Sequence, residues 1–179
     1  MNTTLTNERI GIADRFRLWY EYERDCNQKI VDMLRSVPRD EVDSRAYRRA
    51  VDLFDHLLTA RLIWLNRLGG CQAKPGEWFP KGAPLDELVE KQQEVERLWT
   101  DYLSQLDDEK VEGPISYTGH DGRTYEWKLE YLLTQLFGHA WYHRGQIALL
   151  ADQAGGVTPD TDFIFWNVTA PTWDTPLPQ

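Results

Sequence analysis

Residues 129–154 read LEYLLTQLFGHAWYHRGQIALLADQA, and the spacing of apolar residues in this run decides the fold. Leu129, Leu132, Leu136, His139, His143, Ile147, Leu150 and Ala154 recur at three- and four-residue steps, the period of one helix face. No proline interrupts the run, and Gly155 and Gly156 follow it, so one helix is expected from about Trp127 to Ala154. Two histidines interrupt the face that the leucines mark as core.

Upstream, prolines at 38, 75, 80, 84, 114 and 159 divide the chain into proline-free segments suited to helices. Ile12, Phe16, Trp19, Cys26, Ile30, Met33 and Val37 mark a first helix that Pro38 closes. A second begins at Asp43 or Ser44, both good N-caps, carries Leu53, Leu57, Ala60 and Ile63 on one face, and stops at Gly69 and Gly70. The third runs from Leu85 to about Leu106, and Trp78 and Phe79 in the loop before it are expected to tuck inward. Between the third and fourth, Ile115–Thr118 and Arg123–Glu126 flank Gly119, His120, Asp121 and Gly122, which predicts a short β-hairpin. The fold class is therefore all-α: an up-down four-helix bundle with an accessory β-hairpin before the fourth helix. Residues 1–166 read as a single domain and 167–179 as a proline-rich C-terminal tail, with no linker or repeat.

The 179 residues are 41% hydrophobic and include eight tryptophans, enough to build a core without disulfides. A net charge of -9 with no basic block argues against nucleic-acid or anionic-membrane partners, which need clustered Lys and Arg. The polar start and the lack of any long apolar run predict a cytoplasmic protein. Cys26 and Cys71 are too few for a disulfide framework; Cys26 reads as a small core residue and Cys71 as a loop thiol.

His139 and His143 are four residues apart, so both rings leave the same helix face. His56 sits between Leu53 and Ala60 in the apolar stripe of the second helix and is expected to point inward as well. Such rings are either core histidines satisfied by hydrogen bonds or ligands of a shared divalent cation, with coordination positions left open for water or substrate. Spacing alone leaves both readings standing.

Three stretches carry a resemblance: Phe54-Asp55-His56-Leu57-Leu58 with Ile63-Trp64-Leu65, then Gly138-His139-Ala140-Trp141-Tyr142-His143-Arg144-Gly145-Gln146-Ile147, then Thr161-Asp162-Phe163-Ile164. In order and spacing, over about residues 12–166, the chain resembles the DinB-like metalloprotein family. The resemblance implies a bundle, often homodimeric, with one divalent transition metal ion, zinc or nickel foremost, on His56, His139 and His143. It also implies a metal-dependent enzyme, either a transferase joining a low-molecular-weight thiol to a small-molecule substrate or a hydrolase. The alternative is a non-catalytic, stress-associated metal-binding dimer.

One departure stands out. Where many relatives carry a Tyr-Asn-x-Trp run, this chain has Tyr22-Glu23-Arg24-Asp25, which puts Glu23 on the inward stripe. Glu23 is a candidate ligand, ligand partner or general base, and equally a partner for Arg61 or Arg144. Arg144 is expected to bond to Asp162 and Gln146 to backbone. His120 in the turn and Asp55 beside His56 are expected to face solvent.

Overall fold

A computed structural model describes residues 10–72, 76–119 and 121–166. Among these residues the chain forms six helices and one two-stranded antiparallel hairpin: α1 (Ile12–Arg35), α2 (Arg45–Arg67), α3 (Leu85–Ser104), α4 (Asp108–Glu112), β1 (Pro114–Thr118), β2 (Thr124–Lys128), α5 (Leu129–Gln153) and α6 (Phe163–Trp166). The fold is predominantly α.

Local chemistry explains where the elements end. Ser44 caps α2, its hydroxyl accepting from the Tyr47 amide at 3.2 Å. At the other end Gly69 takes φ 74°, a left-handed conformation costly for residues with a Cβ, and lets the Gly70 amide return to Leu65 O at 2.9 Å. Gly155, at φ 78°, ends α5 in the same way.

Two departures from the expected elements have tertiary causes. The short α4 follows the expected end of the third helix, where no element is expected; Asp107 caps it, and Asp108 in turn accepts the Ala13 amide at the start of α1 at 3.0 Å. Trp127, expected to open the last helix, is instead a strand residue paired with Ile115. The hairpin consumes its backbone groups and delivers the chain to Leu129, whose amide donates to Gly113 O at 3.0 Å.

The four long helices pack in a cycle: α1 lies chiefly against α3 and α5, and α2 against the same pair, most extensively against α5. Phe54, Leu58, Leu65, Trp99, Leu133, Phe137 and Ile147 fill the space between them. Trp99 is fully buried and its indole N–H donates to Arg61 O at 3.0 Å, which satisfies the ring's one polar atom. Of the two loop aromatics expected to tuck inward, Trp78 is half-buried, whereas Phe79 remains 62% exposed. The expected tail from residue 167, and His120, lie outside the described residues. No helix among the described residues is long and apolar enough to cross a membrane.

Candidate metal centre

The extensive α2–α5 contact faces His56 towards His139 and His143. His56 is buried and the other two are half-buried; the candidate ligand atoms of all three lie within 4.8 Å of one another. Ring centroids are 5.0 Å apart for His56 and His139, 4.9 Å for His56 and His143, and 4.5 Å for His139 and His143.

Their hydrogen bonds orient the rings. His56 Nδ1 donates to the Trp78 carbonyl; a carbonyl can only accept, so Nδ1 bears a proton and Nε2 is the nitrogen left to act as a ligand. That Nε2 lies 3.1 Å from His139 Nε2. Gln146 directs its amide nitrogen to Tyr142 OH at 3.1 Å and its Oε1 to His143 Nδ1 at 2.7 Å, which leaves His143 Nε2 for the interior. Burial favours uncharged imidazoles. It pushes His139 down to about 4, with the neighbouring His143, His56 and Arg61 adding to the effect. It lowers His143 as well; the Gln146 hydrogen bond opposes this, while His56 and Arg49 reinforce it.

The arrangement fits a metal. Two nitrogens each about 2.0–2.1 Å from one ion stand roughly 3–3.5 Å apart. The 3.1 Å separation of the facing Nε2 atoms falls in that span. Phe79 covers the flank of the site, its ring stacked on His56 at 4.6 Å and 11°.

Glu23 is not part of this cluster. It is buried and forms a two-pronged pair with Arg61, whose Nε donates to one carboxylate oxygen at 2.7 Å and whose Nη2 donates to the other. The Arg61 guanidinium lies over the rings of Tyr20, Trp99 and Phe137, which accounts for a full charge in so apolar a place.

Three other expectations need correction. Asp55 is buried rather than solvated, because Lys91 of α3 reaches it and Thr59 one turn away donates to it at 3.4 Å. Arg144 donates to Tyr22 OH at 2.8 Å and not to Asp162; Tyr22 itself donates to Thr161 O, which ties the segment before α6 to α1. Gln146 bonds side chains, not backbone. Its part in orienting His143 was available in the sequence as an i, i+3 spacing, whereas a backbone carbonyl such as that of Trp78 leaves no sequence signal.

A predominantly helical chain with three histidines on facing helices defines the class: helical proteins with a preformed three-imidazole pocket. The DinB family model matches residues 1–175, and the chain belongs to the DinB family. It is also similar to Protein DinB of Bacillus subtilis (strain 168), 24% identical over 155 residues that cover 80% of this chain and 88% of that protein. No solved structure matches the chain.

Proposed function

We propose that this protein is a metal-dependent enzyme on an up-down four-helix bundle of α1, α2, α3 and α5, with one divalent ion, zinc or nickel, held by His56, His139 and His143. The observation that carries the reading is the facing pair of Nε2 atoms 3.1 Å apart, one of them on a ring whose Nδ1 is held by a carbonyl so that Nε2 is the atom turned to the site. In an apolar interior two such nitrogens want a shared proton or a shared cation, and the third ring beside them favours the cation.

When bound, the ion supplies Lewis acidity that activates a thiol or a water for attack on an electrophile. The chain's own residues hold and orient the site. Trp78 O fixes His56, Gln146 fixes His143, and Phe79 shields the His56 ring from solvent. Three protein ligands leave room for a small-molecule substrate, so transfer of a low-molecular-weight thiol, or hydrolysis, is the reaction class proposed. Two unpaired cysteines fit a cytoplasmic setting. Tyr131, Tyr142 and Leu149 are exposed on α5 and supply a face for a homodimer.

The test is elemental analysis of protein purified without a polyhistidine tag, beside His56→Ala. We expect about one equivalent of metal in the native protein and under a tenth of that in the variant, with helicity unchanged. Full metal occupancy in the variant would refute the ligand assignment. Absence of thiol transfer and hydrolysis across a substrate panel, with metal restored, would instead favour the non-catalytic reading.

A further inference from the structure

A groove of about 840 Å³, with none of the three histidines in its wall, is lined by the first turns of α2, the last turns of α5 and Lys81 of the intervening loop. Its walls carry Arg45, Arg48, Arg49 and Lys81 against two carboxylates, Asp43 and Asp52. Both carboxylates are engaged: Asp43 pairs with Arg48 at 2.8 Å, and Asp52 accepts the Gly82 amide at 2.9 Å. Arg45, Arg49 and Lys81 are exposed and take part in none of the chain's ion pairs among the described residues. Three uncommitted cations around one concavity are unexpected on a chain of net charge -9.

The cavity shares the helix faces of the metal centre. Arg49 and Asp52 precede His56 by seven and four residues, so all three lie on one side of α2. Leu150 follows His143 by seven residues on α5. At 1.5 Å of rise per residue, the cationic end stands about 10 Å along the helices from the imidazoles. Lys81 arrives on the same loop whose Trp78 and Phe79 bind and cover His56, and the Asp52–Gly82 bond anchors that loop over the groove.

We infer that this groove is an anion subsite: Arg49 and Lys81, assisted by Arg45, bind a carboxylate or phosphate of an elongated small molecule whose reacting end lies at the histidines. The reacting end rests on the enzyme reading above; the anion subsite rests on its own residues. Uncommitted guanidinium and ammonium groups retain their full donor capacity for a carboxylate or phosphate.

The experiment is calorimetric titration of the full chain at low salt with inorganic phosphate and, separately, succinate. Native protein, His56→Ala and the double variant Arg49→Ala/Lys81→Ala are compared. We expect at least one probe to bind native protein and His56→Ala within about twofold, to bind the double variant about tenfold more weakly, and to weaken with added salt. The stronger probe identifies the anion as phosphate or carboxylate. Equal affinity for the double variant, loss of binding in His56→Ala, or no binding of either probe at about 10 mM would overturn the subsite. Lys81→Glu, in a loop outside every helix, must weaken binding in the same direction even if the double variant unfolds. Native protein that binds no metal yet shows this pattern would remove the enzyme reading and leave the anion subsite intact.

Discussion

Gln146 and the carbonyl of Trp78 do the same work at two rings of the site, each accepting a hydrogen bond from Nδ1 of one histidine so that the ring turns its Nε2 inward. Such partners commonly govern metal affinity by 10–100-fold. Gln146→Leu should therefore weaken metal binding by about that factor in competition with a chromophoric chelator, and unchanged affinity would show that His143 is held by packing alone. His139 adds a pH dependence. Burial pushes its pKa down to about 4 in the folded chain against 6.5 for a free imidazole, so as pH falls below about 6.5 the unfolded chain takes up the proton first. The stability conferred by keeping this ring neutral is present above pH 6.5 and is lost as pH falls towards 4. Metal-free native protein should lose more melting temperature between about pH 7 and pH 5 than His139→Leu does; parallel losses would contradict the assignment. Glu23 and Arg61 behave as one unit. Glu23→Ala strands a buried guanidinium and should cost about 3–5 kcal/mol in denaturant unfolding. A loss below about 1 kcal/mol would mean that solvent reaches the pair.

At the scale of elements, α2 and α5 build the site, and their ends decide its register. Ser44 starts α2 twelve residues before His56, and removal of its hydroxyl leaves the Tyr47 amide without a side-chain partner. Ser44→Ala should lower stability by about 1 kcal/mol while leaving metal stoichiometry unchanged, as read by chemical unfolding and elemental analysis. A variant that lost metal as well would show that the N-terminal turn positions the histidine. The hairpin has the complementary task for α5: its pairing carries the chain to Leu129 and so sets which α5 residues face α2.

For the whole molecule, a ligand bridging α2 and α5 binds only the folded chain and so raises its stability by mass action. With metal at 100 times its Kd the gain is about 2.7 kcal/mol, which for a chain of this size corresponds to roughly 5–10 °C in Tm. Chelation should reverse that shift in native protein and produce none in His56→Ala. Equal shifts in both would place the metal elsewhere. The same scale governs legibility. The four long helices, the glycine stops and the inward phase of His56, His139 and His143 are periodic features of single segments, which is why they can be read before any fold is known; the one-turn helices α4 and α6 are too short to carry a period. Asp55, Arg144 and Glu23 could not be placed that way, since each side chain's environment is made by a partner at least 36 residues distant: Lys91, Tyr22 and Arg61.

Sequence alone determined a predominantly helical chain and three histidines on core faces, because side-chain direction within a helix follows from a 3.6-residue period and needs no neighbour. Only the tertiary structure decided that those rings meet, that Glu23 belongs to Arg61 and not to them, and that Lys81 joins the arginines of α2 around one groove. Each of those facts is a distance between segments remote in the chain, set by how α2, α5 and the loop before α3 pack, and no local pattern of residues encodes it.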